Sequence, residues 1–107
     1  MIVRIARARI KPQAESAVFD VLRAATADDS RPPGMHSMMI GRRMDESGNE
    51  LVAITVWTDV EALQSVMGPG YQTAQFFPAL DPFLLDATVE HFETVVERFE
   101  DLTSPTT

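Results

Sequence analysis

Cysteine is absent from these 107 residues, which excludes a disulfide framework, a thiol nucleophile and a thiolate metal site, and gives secretion no support. Basic residues are scarce: 9 Lys and Arg stand against 16 Asp and Glu, a formal charge of −7. That balance argues against nucleic acid or an anionic membrane as partner. No apolar run reaches membrane-spanning length, and the first arginines lie inside an alternating strand pattern rather than ahead of an apolar signal segment. A cytoplasmic protein is expected. Two histidines supply a metal site thinly, and nothing in the spacing of His36 and His91 indicates a pair, so no metal site is expected. The chain also lacks a glycine-rich phosphate loop, a nucleophile elbow and a zinc-protease helix signature, the parts that NTP hydrolysis, serine hydrolysis and metalloproteolysis require.

What remains is a strongly patterned single domain, expected over residues 1–102 with a frayed tail at 103–107. Ile2 to Ile10 alternates, with Val3, Ile5, Arg7 and Arg9 on one face and Ile2, Arg4, Ala6, Ala8 and Ile10 on the other. Pro12 stops this strand and suits the first turn of a helix. Ala14, Val18, Val21, Leu22 and Ala25 then recur at helical spacing, up to a polar, proline-rich loop ending at Gly34. Met35 to Met44 reads as a second strand, with His36, Met38, Ile40 and Arg42 sharing a face, and residues 45–49 as a hairpin turn. Glu50 to Trp57 is an apolar third strand that ends on the only tryptophan. It passes directly into a helix for which Thr58 and Glu61 form a capping box. Gly68-Pro69-Gly70 cuts that helix; Tyr71 to Leu85, interrupted by Pro78 and Pro82, is expected to form helical pieces over the sheet, and Val89 to Phe99 a fourth strand.

The order strand, helix, strand, strand, helix, strand is a split βαβ plan. Right-handed crossovers place both helices on one face of a four-stranded antiparallel sheet, an α+β, ferredoxin-like architecture. The opposite face carries Val3, Ile5, methionines and one parity of the third strand, so it needs a cover. A second copy of the same sheet is the simplest one, which makes a homodimer the expected assembly.

The opening Met1-Ile2-Val3-Arg4-Ile5-Ala6-Arg7-Ala8-Arg9-Ile10-Lys11-Pro12, the Val56-Trp57-Thr58-Asp59-Val60-Glu61-Ala62-Leu63 junction and Val89-Glu90-His91-Phe92-Glu93 together resemble the antibiotic biosynthesis monooxygenase domain family of dimeric α+β barrels. The resemblance covers nearly the whole chain. It implies a sheet that closes a barrel with its two-fold mate and a ligand cavity between sheet and helices. It also implies a cofactor-independent monooxygenase in which a phenol or hydroquinone loses a proton and its anion reacts directly with oxygen. The alternatives are a binding protein for a hydrophobic or aromatic small molecule and a haem-degrading monooxygenase. The haem-degrading branch is similar in fold but carries an asparagine, a tryptophan and a histidine where Ala6, Val66 and Phe76 stand here.

The candidate catalytic residue is His91, since histidine is suited to taking a phenolic proton near neutral pH; the plainer reading is a strand histidine that bonds a neighbour. Trp57, Tyr71, Phe76, Phe77, His36 and Arg7 are the candidate pocket residues. Trp57, Tyr71, Phe76 and Phe77 read more readily as core. Arg4, Arg7 and Arg9 suit an anionic substrate, but Glu90, Glu93 and Glu97 on the neighbouring fourth strand explain all three as cross-strand ion pairs.

Overall fold

A computed structural model describes residues 1–28, 30–45, 49–73 and 76–98. The elements run β1 (Ile2–Ile10), α1 (Glu15–Ala25), β2 (Met35–Arg42), β3 (Glu50–Trp57), α2 (Val60–Met67), a 3-10 helix (Pro78–Phe83) and β4 (Leu84–Glu93). The strands form one antiparallel sheet in the order β2-β3-β1-β4, with α1 and α2 on one side. This is the expected α+β, ferredoxin-like fold. No helix among the described residues is long and apolar enough to cross a membrane.

The alternation of β1 decides which side faces the helices. Ile2, Arg4, Ala6, Ala8 and Ile10 are buried beneath them, whereas Arg7 and Arg9 point to the opposite side. On the helix side two core clusters form: Ile10, Val18, Leu22, Leu51 and Leu80 at one end, and Ile2, Trp57 and Leu63 at the other. On the opposite side Val3, Ile5, Val52, Ile54 and Val56 are half-buried, while Met39 and Phe92 are 62% and 50% exposed.

Four details differ from the sequence reading, each for a local reason. The register between β2 and β3 shifts between Met35 and Ser37, so Met35 pairs with Trp57 and Met38 with Thr55. One extra residue, His36, is accommodated there, which brings Met35 onto the face of Met38 and Ile40 and leaves His36 exposed. The cap of α2 is Asp59, whose side chain accepts from the Ala62 amide at 2.8 Å. Thr58 is not the cap, because its own N–H donates to the Gly34 carbonyl at 2.9 Å and its hydroxyl lies 2.8 Å from His36 Nε2.

β2 ends at Arg42 instead of Met44. β4 starts at Leu84 rather than Val89 and ends at Glu93, because it pairs with β1 from Ile10↔Leu84 to Ile2↔Glu93 and β1 offers nothing further beyond the Thr94 N–H to Met1 carbonyl bond. Phe99, the domain end at 102, the tail at 103–107 and the middle of the 45–49 turn lie outside the described residues. Among the described residues of 71–85 the one helical piece is the 3-10 turn that Pro78 opens, and its Leu80 is fully buried in the first core cluster.

Candidate functional site

A cavity of about 260 Å³ lies between the sheet and the helices, between the two core clusters. Its floor is made by small residues on the two central strands. Ala6 and Ala53 are directly opposed, and Arg4 is opposed to Thr55 one pair further along the same face. Bulky β-branched residues at those places would fill the space that the helices roof over. Trp57, Met35, Met38 and Met67 form one wall, and Leu22, Leu51, Phe76, Phe77 and Pro78 another. The bulge in β2 is what brings both Met35 and Met38 to this wall. Met38 is 46% exposed although it lines the cavity, so the mouth opens along β2, the edge strand.

Of the residues singled out from sequence, Trp57, Phe76 and Phe77 line this cavity. Trp57 is also core, 1% exposed with its indole N–H donating to Thr55 Oγ1 at 2.8 Å. His36, Tyr71, Arg7 and His91 are not among its lining residues. His36 is held against Thr58 outside the sheet edge. Arg7 is on the opposite face of the sheet, paired with Glu90. Tyr71 packs on the Ile2, Trp57 and Leu63 cluster and meets the His91 ring edge-on, with centroids 5.3 Å apart and planes at 76°. Among the described residues no group of three or more His, Asp or Glu side chains is placed to hold a metal ion.

Among the described residues, the charged side chain that lines the cavity, beside the hydroxyl of Thr55, is Arg4. It is 4% exposed, and it belongs to the helix-facing parity of β1. Of the cross-strand ion pairs expected from sequence, Arg7 with Glu90 forms; Arg9 pairs instead with Asp86, its register partner, its Nε 3.1 and 3.0 Å from the two carboxylate oxygens. Arg4 is different because its register partners are Thr55 and His91. Among the described residues it has no ion pair. Its Nη1 donates to the Tyr71 carbonyl and lies 2.9 Å from His91 Nε2, and its Nη2 reaches the Thr73 carbonyl at 3.4 Å.

This arrangement assigns the His91 tautomer. A guanidinium carries only N–H donors, so the ring nitrogen facing it accepts, and the His91 proton resides on Nδ1. Burial first, and the Arg4 charge second, hold His91 below its ordinary pKa. Burial likewise pushes Arg4 below its usual value, though a guanidinium remains charged. His91 is therefore neutral at pH 7 and set behind Arg4. Arg4 was legible in sequence only as one of three alternating arginines; the signal that separates it is its parity, shared with Ile2, Ala6 and Ile10.

No family model matches the chain, and no curated protein matches it. Among solved structures, an antibiotic biosynthesis monooxygenase is similar with a TM-score of 0.66 and 22% identity, over 90% of this chain and 100% of that one. SnoaB, a cofactor-independent oxygenase from Streptomyces nogalater, is similar with a TM-score of 0.62 and 24% identity, over 92% and 97% of the two chains. MhuD, crystallised with two manganese protoporphyrin IX per active site, is similar with a TM-score of 0.67 and 16% identity, over 91% and 97%. Further antibiotic biosynthesis monooxygenases are among its structural neighbours, and the chain shares their fold.

Proposed function

We propose that this protein is a homodimeric, cofactor-independent monooxygenase acting on an aromatic or polyketide-like phenol. The observation that carries the reading is the apolar cavity, walled by Trp57, Phe76, Phe77 and three methionines, at the place where a ring system fits between sheet and helices. The chemistry balances without a cofactor. When a ring CH2 activated by a phenolate becomes a carbonyl, the carbon gives up four electrons, and these reduce one O2 to the carbonyl oxygen and one water. The substrate is thus its own reductant. The protein's share is to hold the ring, favour its anion and limit access of water. The hydroxyl proton leaves to solvent at the mouth beside Met38, and His91 acts one step removed, against Arg4.

The second subunit supplies the missing cover for the half-buried valines and isoleucines of the open sheet face, with Met39 and Phe92 at the contact. Light scattering is expected to give twice the 11.9 kDa of the chain; a monomer overturns the dimer.

Oxygen uptake with a panel of anthrones and hydroquinones tests the reaction. Uptake above buffer with quinone formation is expected, with one labelled oxygen atom in the product. No uptake above buffer for any member refutes the oxygenase. A binding protein without turnover is the second reading, favoured by one observation: among the described residues no Asp, Glu, His or Tyr lines the cavity. It predicts tight binding of the same phenols with no product. A haem-degrading reading has less support, because neither histidine lines the cavity, Ala6 and Phe76 do, and Val66 is 40% exposed and outside it.

A further inference from the structure

We propose that the cavity selects its aromatic ligand as an oxyanion, held by the Arg4 guanidinium, with His91 as the residue that positions that guanidinium. The inference rests on reading the cavity as an aromatic-ligand site and goes beyond it, because an apolar cavity alone would prefer a neutral ring.

Three observations carry it. First, Arg4 is a nearly fully buried cation in the cavity wall, and no carboxylate pairs with it among the described residues. Buried cations are ordinarily paired, since desolvation without a countercharge is expensive. Its protein partners are two carbonyls and one imidazole nitrogen, all neutral. Second, those partners use a particular edge. Both Nη1 contacts are made to the protein, whereas among the described residues Nε and Nη2 together have only the 3.4 Å contact to the Thr73 carbonyl.

Third, the same chain shows what the Nε–Nη2 edge does when an oxyanion is available. On the other face of the sheet Asp86, the register partner of Arg9 on β4, fills that edge of Arg9, with Nε at 3.0 and Nη2 at 2.5 Å from one carboxylate oxygen. Arg4 stands in the cavity wall, where a ligand carrying a phenolate or a carboxylate takes the place that Asp86 takes on Arg9. The Tyr71 carbonyl and His91 Nε2 hold Nη1 from two sides, which fixes the plane of the fork. His91 is in turn held by the edge of the Tyr71 ring.

Calorimetry on the full chain with naphthalene-2-carboxylate and naphthalene-2-carboxamide, which differ in charge and little in shape, tests the selection, with quenching of the single tryptophan, Trp57, as a second readout. The carboxylate is expected to bind at least about ten-fold more tightly, the worth of one charge-assisted contact. Arg4→Met is expected to bring the carboxylate down to the carboxamide. His91→Gln, which keeps an acceptor for Nη1, retains the preference, and His91→Leu loses part of it with both proteins equally folded.

A nitrophenol whose two protonation states differ in colour tests the phenolate arm: below its free pKa, added protein is expected to raise the phenolate absorbance. Carboxylate binding alone assigns the ligand as an aromatic acid, and a response in both arms assigns the wider oxyanion class. Equal or weaker affinity for the carboxylate in the wild type, with no phenolate shift, overturns the proposal and leaves the aromatic cavity standing. Failure of all the probes to bind overturns both. The wild-type comparison decides the matter even where an Arg4 variant does not fold.

Discussion

Ala53→Leu tests whether the space between the two core clusters is real and useful. Ala53 is on the cavity floor, directly opposite Ala6 on β1 and Ile40 on β2, so a larger side chain at this position enters the cavity rather than the sheet. Leucine adds three carbons, about 2.4 kcal/mol if all are buried at roughly 0.8 kcal/mol per methylene. Ordering the side chain costs about 0.5–1 kcal/mol, and the mouth at Met38 leaves part of the added surface wet. A net gain of about 1 kcal/mol remains, instead of the 1–3 kcal/mol loss typical of overpacking a filled core. In urea that moves the midpoint by roughly 0.5 M for a domain of this size, and thermally by about 4–8 °C. Both are to be compared at one protein concentration, since association shifts them. Binding of naphthalene probes, read from Trp57 emission, is expected to vanish in the same variant. A destabilised Ala53→Leu protein that still binds the probes refutes the reasoning, because it means that the floor is packed and the ligand is elsewhere.

Other substitutions separate the local arguments. Asp59→Ala is expected to cost about 1 kcal/mol in a denaturant titration through loss of the Ala62 amide's acceptor, with Glu61→Ala near neutral; the reverse ranking would restore a Thr58–Glu61 capping box. Gly34→Ala is expected to destabilise by at least about 1 kcal/mol, since φ is +83° and the added methyl meets the Ala62 side chain. For pH, His91 has its folded pKa held below 6.5, so just below that value the unfolded chain binds more protons than the native one. Stability is therefore full above pH 6.5 and falls as pH drops below it, and His91→Gln flattens that limb in pH-dependent urea melts. Asp86, held below its ordinary value first by its Arg9 hydrogen bond, adds a second loss only at lower pH; being fully exposed, that contribution fades with salt.

The fold was readable because β1 and α1 carry one period each, β3 is a continuous apolar run, and the turns between them are marked by Pro12, Gly34 and the residues at 45–49. The site was readable only in part. Trp57, Phe76 and Phe77 announce themselves as large apolar residues, but a cavity is made by what is small, and Ala6, Ala53 and Thr55 carry no signal until their registers are known. The bulge at His36 is equally silent: strict alternation puts His36 with Met38, and one extra residue puts Met35 there instead. Arg7 and Arg4 look alike in a run of alternating arginines, yet opposite parity sends one to Glu90 on the exposed face and the other under the helices. β4 was misplaced because Leu84 and Leu85 continue an apolar segment, and only pairing with Ile10 shows where the strand begins.

Two features of this chain work against its own stability, and they share one wall. A void between core clusters forgoes packing contacts. A buried guanidinium with no carboxylate beside it among the described residues gives up hydration for three neutral acceptors. Either alone is an ordinary imperfection of a small domain. Their coincidence is harder to explain structurally, because each has a simple remedy within the same register: leucine at position 53 fills the void, and a glutamate in place of Thr55, directly opposite Arg4, pairs the charge. The second remedy is itself a test. Thr55→Glu is expected to stabilise the fold by supplying the missing countercharge, and to abolish the preference for the naphthalene carboxylate by occupying the fork a ligand would use. A Thr55→Glu protein that keeps the preference would show that the anion is held by something other than Arg4.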